Sequence, residues 1–426
     1  MLDIKFISQN PDIIKEGCKK KKVNIDIDRL LEIDKKRKEI LQTLENTKGQ
    51  KDKSSRKISQ INNENERQKI ISEMRQLDRN SDRLIQKLRE LQTQFDNLML
   101  QIPNLPQDDV PLGKDEKDNV VLREVGNKPE FNFEPKDHLE IGEKLDIIDI
   151  KRAAKISGAR FSFLKKEAVL MEFALIKFAY DILIKEFQFI PIIPPIMLKS
   201  EMERGMGYLE HSGKEETYYL PQDGLYLVAT AEHSIGAMHA NEIFRNEALP
   251  KRYLGFSTCF RRESGSYGKD TRGIFRVHQF DKIEMFSFCK PEDSKKEHWL
   301  FLKIEEKLMK ALKLPYRVVQ ICSGDMAFPT ASQYDIETWM PSQNRYRETH
   351  SASNCTDFQA RRLNIRYRNK FGKLSFIHTV NGTAFAIPRI LISIIENYQQ
   401  EGGSIKVPEI LQKYMPKLPK VISNNL

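Results

Sequence analysis

Apolar residues recur with a seven-residue period through the first quarter of the chain. Ile70, Met74, Leu77, Ser81, Leu84, Leu88, Leu91, Phe95, Leu98 and Ile102 follow alternating steps of four and three, and Ser81 alone among them is polar. A weaker series runs through Leu30, Ile33, Arg37, Ile40, Leu44, Thr47, Lys51, Ser54, Ile58 and Ile61. Such steps keep one strip of a helix apolar, which is the seam of a coiled coil. From Cys18 to Ile102 there is no proline and only one glycine, Gly49. The polar run Asn62-Asn63-Glu64-Asn65 separates the two series, so the pattern predicts an antiparallel two-helix hairpin over about 28–102. Helices of ~35–40 residues would reach about 50–60 Å at 1.5 Å per residue.

Beyond Ile102 the heptads stop. Three prolines and a glycine fall within 103–113, PNLPQDDVPLG, and read as a linker or edge loop. The expected organisation is an arm over 1–103, a linker over 104–118 and a globular domain over 119–426. In that domain 166–187 is patterned as a helix. Short β-rich apolar runs follow at Gly224–Ala229, Phe275–Phe280, Ile283–Phe288 and Tyr316–Ile321. Runs of this kind separated by loops predict an antiparallel sheet flanked by helices, so the fold class is α+β with a helical arm in front.

Charge sharpens the reading of the arm. Of a net charge of +10, the span from Cys18 to Ile102 carries an excess of seven, with 21 Lys and Arg against 14 Asp and Glu. A basic arm favours a polyanionic partner, because cationic side chains release counterions condensed on a phosphate backbone. Other classes fall away. The start, MLDIKFISQNPDIIKEG, lacks the apolar core of a secretory signal. The most apolar stretch, Val169 to Ile184, contains Glu172, Lys177 and Asp181, too many charges for a bilayer. Five scattered cysteines without a CxxC pair argue against a disulfide framework or structural zinc. The expectation is a cytoplasmic protein with no membrane partner.

The chemistry is concentrated in one segment. Thr258 to Phe280, then Asp281 to Glu284, reads as a strand ending in Phe260-Arg261-Arg262-Glu263, a glycine-rich loop, and a second strand. Period-two spacing would set Arg276, Phe280 and Glu284 on one face, with His278 beside them. A guanidinium, an aromatic plate and a carboxylate suit a phosphate, a purine and an ammonium. No glycine-rich loop of the Walker or Rossmann type is present, so arginines and a metal would have to hold any nucleotide's phosphates.

This segment resembles motif 2 of class II aminoacyl-tRNA synthetases, and specifically that of seryl-tRNA synthetases. The resemblance extends over nearly the whole chain. Phe189-Ile-Pro-Ile-Ile-Pro-Pro195 resembles motif 1, whose proline lies at the dimer interface in that class. Gly205-Met-Gly207 matches a GxG, Thr230-Ala-Glu232 the family's serine-binding TxE, and Asn381-Gly-Thr-Ala-Phe-Ala-Ile-Pro-Arg389 motif 3. Glu396-Asn-Tyr-Gln-Gln400 and Val407-Pro-Glu409 fit the family's ending, and the arm resembles its tRNA-binding hairpin.

The resemblance implies that ATP activates L-serine to seryl-adenylate and that the seryl group then passes to the 3′ end of tRNA(Ser), with tRNA(Sec) a further acceptor in the family. It implies a homodimer and a requirement for Mg²⁺. Arg261 would bridge the serine carboxylate and the α-phosphate. Glu263 would accept from the adenine amino group, Phe280 would stack on the purine, and Arg262 falls in the same ATP-binding stretch. Arg276 and Arg389 would meet the β- and γ-phosphates. Glu348-Thr349-His350-Ser351 matches the family's ATP-binding segment, with Glu348 and Ser351 at the magnesium. Glu284, Glu232 and Thr230 would hold the serine ammonium, and Asn381 and Thr383 its hydroxyl. Lys269 and Arg272, in the motif 2 loop, would approach the acceptor stem. The sequence departs from the family at Arg262, His350, Ala384 and Pro388, and Pro388 would be expected to disturb Arg389 by fixing φ and removing a donor. Two rival functions, loading a carrier protein and a non-catalytic paralogue, are disfavoured by the intact arm and by the presence of Arg261, Glu284 and Arg389.

Overall fold

The computed structural model describes residues 1–210, 213–264, 272–414 and 419–424. The chain forms two compact units, one of Leu2–Pro103 and one of Met1 with Asn104–Leu426.

The smaller unit has four helices, α1 (Ile4–Gln9), α2 (Pro11–Lys20), α3 (Ile27–Ile58) and α4 (Glu64–Gln101). Side-chain caps start the two long ones. Asp26 accepts from the Arg29 amide at 2.8 Å, and Asn63 accepts from the amides of Asn65 and Glu66 at 3.0 and 3.4 Å, which satisfies donors a helix start leaves free. The reversal therefore falls at the polar run that divides the heptads. Arg37 of α3 meets Gln92 of α4, Nη2 to Oε1 at 2.6 Å, and Lys51 pairs with Asp78, so the helices run antiparallel. The Arg37 guanidinium also lies 3.8 Å from the centre of the Phe95 ring. Every seam position of both series is buried or half-buried, and burial is close to complete only near the base, as at Leu30, Ile33, Ile40, Leu91 and Phe95. Two helices can shield only one strip of each other.

The larger unit is built on an eight-stranded sheet. Its strands are β1 (Val120–Val125), β2 (Ile190–Ile192), β3 (Lys251–Phe260), β4 (Gln279–Cys289), β5 (Tyr316–Gln320), β6 (Ser332–Met340), β7 (Arg345–Thr356) and β8 (His378–Ala386). The spatial order is β1-β5-β6-β7-β8-β4-β3-β2, antiparallel throughout except for the edge strand β2, which runs parallel to β3. Helices α5 (Glu167–Phe187), α6 (Ala231–Ala237), α7 (Ser294–Ala311) and α8 (Ile387–Asn397) frame it. The main core joins Phe178 of α5, Phe301 and Leu308 of α7, and Ile390 and Ile394 of α8 to the sheet. Gly382 in β8 lets α7 come close: a Cβ there would stand 3.1 Å from both Phe301 and a Glu305 carboxylate oxygen. Because side chains alternate along a strand, Asn381 and Thr383 point to the opposite face.

Two sequence expectations change. The stretch 104–118, expected as a linker or edge loop, is counted with the larger unit. Asn104 donates to the carbonyls of Pro329 and Cys355 at 2.9 and 2.8 Å, and Val110 is buried with Val319, Ile321 and Met326. Backbone bonds hold it as well, with the Gln107 amide donating to the Ala331 carbonyl at 2.9 Å and the Ser323 amide to the Pro111 carbonyl at 2.9 Å. The strand expected from Phe275 begins only at Gln279, because residues 272–278 form turns and bends.

Candidate active site

The ends of β3, β4, β7 and β8, with the starts of α6 and α8, enclose a cavity of ≈ 490 Å³. Thr230 caps α6, and this places Glu232 in the first turn, buried, with its carboxylate on the cavity. Glu232 Oε1 accepts from Tyr208 Oη at 2.9 Å, Asn381 Nδ2 at 3.0 Å and Gln359 Nε2 at 3.1 Å. Gln359 is itself oriented by Thr379, which donates to its Oε1 at 2.7 Å. The carboxylate is fixed by three donors, and the Asn381 amide nitrogen donates to it and, at 3.7 Å, to the Cys355 sulfur, so the Asn381 oxygen is the polar atom of that side chain left to accept a hydrogen bond. Thr383 stands directly across from Glu284 in the β4–β8 register, and both side chains are buried.

Glu284 is 1% exposed. Burial pushes its carboxyl up to about 7, with Glu232 adding to the rise while Lys282 and Thr230 oppose it. Thr230 donates to Glu284 Oε2 at 3.2 Å and accepts from Lys282 Nζ at 3.1 Å, and Lys282 also pairs with Glu284.

Arg261 leaves the end of β3 with its Nε 3.3 Å from the Ala229 carbonyl and its guanidinium 5.2 Å from the Phe280 ring centre. His278 steadies this turn: the Arg261 amide donates to its carbonyl, and its ring Nδ1 lies 3.0 Å from the Arg261 carbonyl. His278 does not line the cavity. Glu263 has a left-handed backbone, φ +52°, and pairs with Arg276 at 2.8 Å. Both face the cavity, but Arg276 reaches it from a loop and not from a strand. Arg262 is exposed, lies over the Tyr218 ring and is outside the lining. Lys269 lies outside the described residues, and Arg272 is exposed away from the cavity.

Glu348 and Ser351 are three residues apart, which in a regular strand would set them on opposite faces. The β6–β7 pairing shifts by one between Ile336–His350 and Glu337–Glu348, so Thr349 is an extra, bulged residue. The bulge brings Glu348 and Ser351 together on the cavity. Thr349 also touches the cavity, although its hydroxyl is bonded to Thr338 at 2.7 Å. His350 is turned away. Its ring is wholly buried against Phe385, 2.9 Å from the Thr349 hydroxyl, and burial pushes it down to about 3. His350, expected within the ATP-binding segment, is not among the residues that line the cavity.

Glu348 lines the cavity with 48% of its side chain open to solvent, and its carboxylate pairs with Arg389 at 3.0 Å. Burial opposes its ionisation, but Arg389 and Arg261 outweigh it and hold the carboxyl below the usual range. Pro388 occupies the first turn of α8, where no amide donor is needed, so Arg389 projects normally from that helix. Asp335, opposite Ser351, carries no signal in the sequence that singles it out; burial first, then Glu348, pushes its carboxyl up.

A hard divalent cation fits here in a specific way. Among the described residues no three His, Cys, Asp or Glu side chains come together as a metal site. Glu348 offers an ionised oxygen and Ser351 a hydroxyl oxygen on the same cavity wall. Two protein oxygens completed by substrate phosphates is the arrangement magnesium accepts.

A mainly antiparallel sheet that sets arginines, a phenylalanine and buried carboxylates around one cavity is the arrangement of a class II aminoacyl-tRNA synthetase core. The family model for the tRNA synthetase class II core domain (G, H, P, S and T) matches residues 218–398, and that for the seryl-tRNA synthetase N-terminal domain matches 1–106. The chain is 43% identical over 418 residues to a serine–tRNA ligase of Dictyoglomus turgidum, covering 97% of this chain and 98% of that one. Its fold matches the seryl-tRNA synthetase of Pyrococcus horikoshii complexed with ATP, with a TM-score of 0.91, 38% identity and 99% of each chain covered. It also matches the cytoplasmic serine–tRNA ligase of Naegleria fowleri in complex with AMP, with a TM-score of 0.87, 33% identity and coverage of 100% and 99%. The chain belongs to the seryl-tRNA synthetase family.

Proposed function

We infer that the cavity activates L-serine with ATP and that the product is delivered to tRNA(Ser), through residues that position and neutralise charge without forming a covalent intermediate. The observation that carries this reading is the convergence of Arg261, Phe280, Glu284, Glu232, Glu348 and Arg389 on one cavity. A serine carboxylate oxygen attacks the α-phosphorus of ATP, the bond to the pyrophosphate oxygen breaks, and seryl-adenylate forms. A ribose hydroxyl at the tRNA 3′ end then attacks the acyl carbon, loses its proton, and AMP leaves.

Arg261, on the cavity wall, would bridge the serine carboxylate and the α-phosphate, where negative charge gathers in the transition state. Phe280 offers its face to the purine, and Arg389 and Arg276 offer guanidinium groups to the outer phosphates. Glu284 and Glu232 take the serine ammonium. The Asn381 oxygen and Thr383 take its hydroxyl, so alanine would leave buried polar groups unpaired. Glu348 and Ser351 would hold Mg²⁺, which when bound neutralises phosphate charge. Serine-dependent exchange of pyrophosphate into ATP tests the reading. Exchange with serine and Mg²⁺, and at least about 100-fold less with alanine or threonine, is expected. Equal exchange with alanine would refute the hydroxyl-reading pocket.

The working unit is a homodimer in this reading. The edge strand β2 and its surroundings expose apolar side chains, with Ile193 82% and Phe173 59% exposed. An apolar sheet edge of this kind is covered in stable proteins. Sedimentation should give twice the 49.7 kDa chain mass, and a monomer at micromolar concentration would count against it. The basic hairpin is the tRNA-binding element, and tRNA(Sec), if present in the host, is a second acceptor. The protein acts in the cytoplasm; no helix among the described residues is long and apolar enough to cross a membrane.

A further inference from the structure

Among the cavity's charged side chains, Lys282 has no part in the reading above. It is 8% exposed and lines the cavity two residues before Glu284 on the same strand, so both side chains face the same way. Its ammonium pairs with Glu284 and donates to Thr230 at 3.1 Å. Thr230 in turn donates to Glu284 at 3.2 Å. A lysine this deeply buried is rare unless a specific charge balance requires it.

The balance can be counted. With both carboxylates ionised, Glu232 and Glu284 supply two negative charges against the one positive charge of Lys282, leaving one net negative charge beside the substrate. One amino-acid ammonium brings the site to neutrality. Without Lys282 two buried carboxylates would face one ammonium, an arrangement that like-charge repulsion resolves by protonating one of them. We propose that Lys282 is a positioning residue for serine recognition, fixing the Glu284 carboxylate against Thr230 and setting the ammonium subsite to a single net negative charge. This rests on the serine-activating reading and adds to it a residue that governs affinity for the amino group shared by all amino acids, not selectivity for the hydroxyl.

The surroundings of Glu284 support the assignment. Lys282 on β4 is the cation that opposes its burial, while Glu232 on α6 works against ionisation. From the other elements, Glu305 on α7, Cys259 on β3 and Tyr208 also interact electrostatically with Glu284, and each would make its ionisation harder if charged. Lys282 is thus the cation that opposes the effect of burial on the Glu284 carboxylate.

The test uses the full chain and its Lys282→Met and Lys282→Arg variants, with serine-dependent pyrophosphate exchange followed from about pH 6 to about pH 9. The Met variant is expected to raise the serine KM by about tenfold or more near neutrality, to move the acid limb of kcat/KM for serine up by about one pH unit, and to leave the ATP KM within about twofold. The Arg variant should restore most of the affinity and the position of the limb. Thermal melting identifies any variant that is misfolded, and the Arg variant keeps the question answerable if the Met variant is. A Met variant that binds serine as well as or better than the parent would overturn the proposal, because Lys282 would then compete with the substrate ammonium. An unmoved acid limb, with serine and ATP KM rising together, would overturn it as well. Failure of the underlying reading is seen separately, as absence of serine-dependent exchange in the unaltered chain, which removes the premise of the proposal.

Discussion

Arg261→Ala is expected to lower serine-dependent pyrophosphate exchange by about 10²–10³-fold, mostly in kcat, as removal of one preorganised charge donor does elsewhere. The geometry explains the size. The guanidinium is anchored by the Ala229 carbonyl beside the Phe280 ring on the cavity wall, so it is held in place before substrate arrives. A fixed donor costs no reorganisation when charge builds on the α-phosphate. Arg261→Lys should recover little, because an ammonium cannot offer two parallel N–H bonds to a carboxylate and a phosphate oxygen. Measuring exchange in both variants at saturating ATP decides the matter. A loss below about tenfold, or near-full activity with lysine, would assign Arg261 to substrate binding in general and not to the transition state.

Much of this was legible in the sequence, and the failures have physical causes. The coiled coil was readable because a helix repeats its environment every few residues, and the seam positions from Leu30 to Ile102 are all buried or half-buried in the structure. The cavity residues proposed to meet serine and ATP were readable only through the resemblance of whole motifs; composition and period could not rank Arg261, which lines the cavity, above Arg262, its exposed neighbour. Period-two reasoning placed Arg276 with Phe280 for the wrong reason, since the strand starts three residues after Arg276. The same rule separates Glu348 from Ser351, and only the bulge at Thr349 reunites them. A bulge depends on the partner strand, so one strand's sequence does not reveal it. Lys282 could have been found, because it shares the parity of Glu284. Tyr208 and Gln359 could not: they reach Glu232 from segments 24 and 127 residues away in the chain.

Neutralising the tip of the arm should separate the two halves of the reaction. Arg56 and Lys57 close α3, Arg67 and Lys69 open α4, and all four are exposed. Replacing them together by glutamine in the full chain touches no cavity residue and no seam position. Pyrophosphate exchange with serine is therefore expected to stay within about twofold of the parent. Charging of tRNA(Ser) should suffer instead, with the tRNA KM rising by about ten- to a hundredfold. The slope of log affinity against log salt should fall by about 0.7–0.9 for each phosphate that the arm no longer neutralises. The salt slope distinguishes electrostatic grip from a folding defect, which would weaken charging without changing the slope. Loss of exchange in parallel with charging would mean that the substitutions damaged the fold. Unchanged charging with an unchanged slope would mean that the basic excess of the arm serves solubility, and that tRNA is held elsewhere on the chain.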